Sequence, residues 1–162
     1  MSNFQIGLGG GCHWCTEAVF QSLKGVTLVV QGYISSIKKN NSFSEAVIVS
    51  YNPEIISLRD LIDIHLHTHN STSDHSFREK YRSAVYYFEE KQKPVIETYI
   101  NELNEDFENE VITQILKLDK FDLSKSELLN YYKKNPEKPF CKRYVHPKLN
   151  LLRKKYIEKT NL

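Results

Sequence analysis

One stretch near the N-terminus restricts this chain more than any other. A short apolar run, Phe4-Gln5-Ile6-Gly7-Leu8, leads into Gly9-Gly10-Gly11. Cys12-His13-Trp14-Cys15-Thr16-Glu17 then opens an amphipathic segment that continues through Ala18, Val19, Phe20 and Leu23. Apolar run, glycines and periodic apolar residues in that order predict a strand, a turn and a helix. Glycines permit a sharp turn and a close approach of backbone to a ligand. Cys12 then falls at the helix N-terminus, where free N–H groups and the macrodipole favour a thiolate. A free cysteine more often packs as a small hydrophobe. Glycines ahead of Cys12 and a second thiol at Cys15 point instead to chemistry.

Bulk properties limit what that chemistry serves. A chain of 162 residues can bury one core without staples, and 40% hydrophobic with 26% charged residues leaves no biased tract that signals disorder. The net charge of +2 is small, and Lys38-Lys39, Lys133-Lys134 and Arg153-Lys154-Lys155 are short, scattered clusters. They predict solvated surface, with neither nucleic acid nor membrane as a partner. The N-terminus lacks the basic and apolar regions of a signal peptide, and no apolar run approaches the roughly 20 residues that span a bilayer. Three cysteines in such a chain fit a reducing cytoplasm, where disulfides are transient and catalytic. A soluble cytoplasmic enzyme, monomeric, is the expectation.

Beyond the first helix (about 14–24), Val26 to Tyr33 reads as a strand and Glu45 to Tyr51 as another, ended by Asn52-Pro53. Ser57 and Asp60 form a capping-box pattern ahead of a helix from Leu58 to about His67. A long polar loop from Asn70 to Glu79 follows, then a strand over Ser83–Phe88 and an apolar stripe of Val95, Tyr99 and Leu103 on a helix. Glu110 to Leu118 alternates as a strand. Ser124 to Lys133 reads as a short helix capped by Ser124, with Glu127 at the capping-box position. Asn135-Pro136-Glu137-Lys138-Pro139 is an irregular turn before Cys141, and the basic, amphipathic stretch Lys148 to Ile157 packs or lies free. Interleaved strands and helices predict one α/β or α+β domain over 1–162, its C-terminal segment mobile from about 135.

Several residues fit the reactive-cysteine reading. Cys12 and Cys15 have the spacing of a redox dithiol, which half a zinc site shares. Cys141, in a proline-bounded segment, could swing to meet another thiol or be incidental. Glu45 begins an apolar strand, where burial raises a carboxyl pKa and leaves it able to donate a proton. Tyr33 and Tyr81 offer phenolic donors, and Trp14, beside Cys12, offers a binding platform. Of His65, His67, His69 and His75, only His65 and His69 share a helical face, and no carboxylate or cysteine completes a familiar ligand spacing, so no metal is expected. Asp74-His75 is either a polar loop tip or an orienting group.

These residues also carry a resemblance. Gly11-Cys12-His13-Trp14-Cys15-Thr16-Glu17-Ala18 resembles the signature of the methionine sulfoxide reductase A family, Gly-Cys-Phe-Trp followed by glycine or cysteine. Gly32-Tyr33 is similar to that family's Gly-Tyr after the second strand. Ser44-Glu45-Ala46-Val47 with Tyr51-Asn52-Pro53 is similar to its Glu-Ala-Val strand ending in Tyr-Asp/Asn-Pro. Tyr81-Arg82-Ser83-Ala84-Val85-Tyr86 resembles its Tyr-Arg-Ser-Ala-Ile-Tyr run. The likeness covers about residues 4–145. It implies an α+β two-layer sandwich, with a ferredoxin-like core, a mixed β-sheet and flanking helices. It also implies reduction of the S-epimer of methionine sulfoxide, free or in damaged proteins. Cys12 would be the nucleophile, and Glu45, with Tyr33 and Tyr81, would hydrogen-bond and protonate the sulfoxide oxygen. Trp14 would wall the pocket for the substrate methyl group, with His13 and Asp74 as further substrate-binding residues. Attack leaves a sulfenic acid on Cys12, a second thiol condenses it to a disulfide, and thioredoxin or another dithiol resets the enzyme with no bound cofactor.

The chain departs from the family pattern in three places. His13 replaces phenylalanine, which makes the pocket more polar and gives it a titratable group. The loop from Asp74 to Tyr81 is two residues longer than the family's Asp-His-Gly-Thr-Gln-Tyr. The glycine-rich tail with a further cysteine is absent, which leaves Cys15 or Cys141 to resolve. Cys141 is preferred, because a helical Cys12–Cys15 pair must distort to reach disulfide geometry. Two rivals remain: a thioredoxin-like dithiol oxidoreductase using Cys12 and Cys15, and a non-enzymatic zinc module. The position of the dithiol after the first strand, with Trp14 between the thiols, argues against the first.

Overall fold

Alternation of apolar side chains builds the sheet, because successive residues of a strand face opposite sides. In β1 (Gln5–Gly9), Ile6 and Leu8 face one side; in β3 (Ser44–Tyr51), Val47, Val49 and Tyr51 join them while Ala46 and Ile48 face the other. β4 (Ala84–Tyr87) divides in the same way, Val85 and Tyr87 against Ala84 and Tyr86. The computed structural model describes residues 4–75 and 77–162. With β2 (Val26–Ser35), β5 (Gln114–Lys117) and β6 (Lys120–Leu123), it forms one six-stranded sheet in the order β5-β4-β1-β3-β2-β6. The β4–β5 pair is parallel and the other pairs antiparallel, so the sheet is mixed.

Helices cover one face. α1 (His13–Gln21) lies between β1 and β2 in the chain, and α2 (Leu58–Thr68) between β3 and β4. That connectivity with central order β4-β1-β3-β2 is the ferredoxin-like core. α3 (Gln92–Leu103) and α5 (His146–Lys155) complete the helical layer. Phe20, Leu61, Ile62, Ile64, Leu66, Ile96, Leu149 and Leu152 fill the space between the layers. Each such side chain stabilises by about 1.5–3 kcal/mol on burial. The opposite face carries only a thin cluster around Ile34, Ala46, Ala84 and Tyr86. The buried Arg82 guanidinium bounds it by donating to the carbonyls of Ile34 (3.1 Å) and Ser42 (2.9 Å) and to the Tyr86 hydroxyl (3.1 Å). The two-layer α+β expectation holds. So does the capping box of α2, with Ser57 Oγ accepting from Asp60 N–H and Asp60 accepting from Ser57 N–H.

The second half differs from the sequence reading. The strand expected over 110–118 shortens to β5, and β6 was not anticipated. The helix expected over 124–133 is replaced by a 3-10 turn (Ser126–Leu128), left-handed Asn130 (φ +56°) and one turn of helix, α4 (Tyr131–Lys134). Ser124 caps nothing, because its N–H donates to the Gln31 carbonyl (3.1 Å) and prolongs the alignment of β6 with β2. Glu17 decides instead where α4 begins: its carboxylate accepts the N–H groups of Asn130 (3.0 Å) and Tyr131 (3.2 Å). The segment from 135, expected as a mobile arm, is seated on the helical layer. A wide π-type turn (Cys141–Val145) leads directly into α5, with Cys141, Val145, Leu149 and Leu152 buried. The chain end is fastened to the end of α1 by Lys24 N–H to Lys159 O and Asn161 N–H to Ser22 O, both 2.8 Å.

Candidate active site

Cys12 stands where β1 gives way to α1. Its backbone is extended (φ −59°, ψ 129°), and its carbonyl accepts from Cys15 N–H (3.1 Å) and Thr16 N–H (3.2 Å), so the helix starts at the next residue. Gly9 and Gly10 are needed for space rather than for a left-handed turn, whereas a Cβ at Gly11 would meet open space; Gly25 is the only glycine with positive φ among the described residues. A Cβ at Gly10 would lie 2.4 Å from His69 Cδ2. Two side chains hold the loop from outside: His65 Nε2–H donates to Gly9 O (2.8 Å), and Arg78 donates to Gly10 O (2.9 Å) and to Tyr81 O (2.9 Å). His69 Nδ1–H donates to His65 O (2.5 Å) and its Nε2 accepts from Ser83 Oγ (2.8 Å). Sequence reasoning found none of these supports, because His65, His69 and Arg78 meet the loop only in the folded chain.

Cys12 is half-buried and Cys15 is buried beneath it. The Cys15 thiol donates to the Cys12 sulfur and holds it below the usual thiol range. Burial and the Glu45 charge oppose that shift, and the N–H groups of Trp14 and Cys15 assist it. The same bond, burial and the Cys12 charge push Cys15 up, so Cys12 is the more readily ionised of the two. Cys141 is also buried, and its thiol faces Asn135 O at 3.6 Å. Burial pushes Cys141 up as well.

On the other side of Cys12 the strands bring polar groups together. The register of β2 and β3 sets Tyr33 directly opposite Glu45. Glu45, buried, accepts from His13 N–H (3.1 Å), and its carboxylate lies 3.5 Å from His13 Nε2 and 3.8 Å from Lys80 Nζ. His13 Nδ1–H donates to Gly32 O (3.0 Å), which leaves Nε2 to face Glu45. The imidazole also packs edge-on against the Tyr33 ring at 5.2 Å. Burial, then the charge of Glu45, push the Tyr33 phenol up, so it stays a donor. Tyr81 is delivered by its neighbours: Lys80 O accepts from Glu45 N–H (3.0 Å), and Arg82 N–H donates to Ser44 Oγ (2.7 Å).

Trp14 forms a wall. Its indole stacks on the Tyr131 ring (4.0 Å, 2° between planes) and meets Phe140 edge-on at 5.2 Å. Glu17 fixes that wall by its bonds to Asn130 and Tyr131. Asp74 lies apart. It is exposed, in a cleft with Lys39, Arg78 and Glu79, and its connection to the cysteine loop runs through Arg78. His75 accepts from Phe77 N–H within its own loop.

His67 belongs to a different cluster. Its ring faces Asp63 (2.9 Å) and Asp106 (3.5 Å), whose ligand atoms lie within 4.8 Å of one another, and the Tyr156 hydroxyl donates to Asp63 (2.8 Å). Carboxylates therefore do flank a histidine, one of them from beyond α3, which spacing along the sequence could not show.

Comparison with known proteins agrees with this geometry. A family model described as peptide methionine sulfoxide reductase matches residues 4–161. The peptide methionine sulfoxide reductase MsrA of a Psychrobacter species is 35% identical, covering 92% of this chain and 94% of that protein. Among solved structures, Mxr1 from Saccharomyces cerevisiae in an unusual oxidized form superposes with a TM-score of 0.69 at 25% identity over 82% of each chain. Mxr1 in complex with Trx2 gives a TM-score of 0.63 at 24% identity, covering 75% of this chain and 80% of that one. A cysteine at the start of the first helix with its thiol lowered, a buried carboxylate opposite a tyrosine and a match over nearly the whole length agree: the chain belongs to the peptide methionine sulfoxide reductase family, with the MsrA proteins.

Proposed function

We propose that this chain reduces the S-epimer of methionine sulfoxide, free or within oxidised proteins, with Cys12 as nucleophile. The observation that carries the assignment is the lowered Cys12 thiol at the start of α1, placed one residue from the His13 N–H that binds Glu45. A sulfoxide sulfur accepts a nucleophile once its oxygen is protonated or strongly hydrogen-bonded. Glu45 supplies that proton, with the Tyr33 and Tyr81 hydroxyls donating to the same oxygen. Trp14 walls the methyl group, and His13 is the polar part of the pocket, its ring holding Glu45 in place. The Cys12 sulfur gains oxygen as the sulfenic acid while methionine leaves as the thioether.

Cys15 then closes a disulfide on Cys12 and water departs. We assign this step to Cys15 rather than to Cys141, the thiol favoured by sequence, because Cys15 already donates to the Cys12 sulfur while Cys141 faces Asn135. A thioredoxin-like dithiol is the reductant, by analogy with Mxr1 and Trx2, and no bound cofactor takes part. We read 1–162 as one domain acting as a monomer in the cytoplasm. No helix among the described residues is long and apolar enough to cross a membrane.

A single-turnover assay on reduced protein, with each epimer offered separately, tests the reading. Methionine from the S-epimer alone, with two thiols lost per chain, is expected; no methionine from either epimer overturns it.

A further inference from the structure

We propose that Lys148 is a positioning residue for disulfide closure: its half-buried ammonium, in the cavity that Cys12 and Cys15 also line, promotes attack of the Cys15 sulfur on the Cys12 sulfenic acid. This inference rests on the reading of Cys12 and Cys15 given above. Lys148 follows Pro147 in the first turn of α5, where the helix dipole opposes a cation and burial adds a desolvation cost. Nothing in the local sequence calls for a lysine there. What surrounds it in the fold does. Cys12, Cys15, His65, Thr68, His69 and Lys148 line one enclosed cavity of about 20 Å³, behind the thiols and away from Glu45. Lys148 Nζ donates to Thr68 O, the carbonyl of the last residue of α2, and a helix C-terminus favours a cation. An ammonium carries three donors and Thr68 occupies one of them.

The groups facing the cavity leave Lys148 as its source of positive charge. Burial lowers His65 to about 4 and His69 well below its ordinary value, so both are neutral near pH 7. The Arg78 guanidinium is committed to the carbonyls of Asn70, Ser73, Gly10 and Tyr81. On the negative side stand Cys12 and, beyond it, Glu45; Cys141 lies near Cys15 as a neutral thiol. The Cys15 bond to Cys12, burial and the Cys12 charge push Cys15 up, whereas Lys148 draws it down. Burial pushes Lys148 down, and the charges of Cys15 and Cys12 draw it back up.

The chemistry then proceeds in sequence. Before reaction the ammonium faces the Cys12 thiolate. Oxidation of Cys12 to the sulfenic acid removes that negative charge and, with it, the Cys12 share of what kept Cys15 protonated; burial stays and is opposed by the ammonium. Lys148 remains and favours the Cys15 thiolate. The Cys15 sulfur attacks the Cys12 sulfur, the S–S bond forms and the S–O bond breaks. The Cys15 sulfur is oxidised and the Cys12 sulfur reduced. The proton lost by Cys15 leaves with the hydroxide as water, and Lys148 keeps its own protons.

The test is rapid-quench single turnover of the full chain between pH 6 and 9, following methionine release and loss of the second thiol separately. Lys148→Gln keeps a donor for Thr68 O and removes the charge, whereas Lys148→Arg keeps the charge. In Lys148→Gln the second thiol should be lost at least 10-fold more slowly, with its pH profile displaced to higher pH, and methionine release should slow much less. Lys148→Arg should restore most of the rate and the original profile. An unchanged rate and profile in Lys148→Gln, or equal slowing of both variants, overturns the inference. So does full-rate loss of two thiols in Cys15→Ser with Lys148 intact. Absence of methionine release in the unmodified chain would instead defeat the reductase reading.

Discussion

Cys12 lies between two neighbourhoods of opposite construction. On one side, strands β2 and β3 and the 80–82 segment bring Glu45, Tyr33, His13 and Tyr81 together beside Lys80, whose side chain is 64% exposed. On the other, α1, α2, α5 and the π-type turn surround Cys15, His65, His69, Cys141 and the half-buried Lys148. In the proposed reaction the first neighbourhood receives the sulfoxide oxygen of the substrate and offers donors to it. The second is the proposed place of disulfide closure, where a cation acts in a largely enclosed cavity and so in a lower dielectric than water. On that reading one sulfur serves two half-reactions, with an open polar front and an enclosed back.

Substitutions can separate the two. The largest effect is expected from Cys12→Ser, which serves both sides: methionine release in single turnover should fall to zero, and residual turnover would place the nucleophile elsewhere. Glu45→Gln acts on the front alone. Methionine release should slow by about 10²-fold or more, the scale of a lost general acid, while disulfide closure after oxidation by hydrogen peroxide keeps its rate. Cys15→Ser removes the proposed resolving thiol and changes the group that lowers Cys12, so the amount of methionine rather than its rate is the readout. One equivalent of methionine should still appear, with the Cys12 sulfenic acid trappable by dimedone, and Cys141→Ser should close its disulfide normally. The reverse pattern would make Cys141 the resolving thiol. His13→Phe should slow methionine release less than Glu45→Gln does, leaving thiol closure untouched.

The smallest effect lies outside both neighbourhoods and serves as a control. The bond to Asp63 outweighs burial and raises His67 above its ordinary value. The stability this contributes is fully present below the unfolded value of about 6.5 and is lost as pH rises through the folded value. The gap in urea midpoint between the unmodified chain and His67→Gln should therefore narrow from pH 6 to pH 8, with no change in either half-reaction.

The front was more legible in the sequence than the back. Short apolar and β-branched runs located β1, β2, β3 and β4 because these strands form the central, largely buried part of the sheet. β6 escaped because its residues, Lys-Phe-Asp-Leu, form an edge strand that is mostly exposed and pairs only with β2. Cys12, Glu45 and Tyr33 stood in short motifs on or beside strands, so their meeting followed from register. His65, His69, Arg78 and Lys148 carry no local signal, and their roles arise where α2, a loop and α5 converge on Gly9, Gly10 and Cys15. The misread helix over 124–133 has the same origin: a distant carboxylate, Glu17, sets its start.

The aromatic wall carries a practical consequence. Trp14 is the only tryptophan in the chain and stands between the two cysteines of the dithiol, stacked on Tyr131. All indole emission therefore arises at the place where sulfur chemistry occurs, with no second fluorophore of that kind to dilute it. Any rearrangement that opens the stack or changes the charge on Cys12 alters the one emitter directly. The molecule thus carries its own optical gauge of oxidation state, and a label-free emission trace during turnover can time both half-reactions in the unmodified protein.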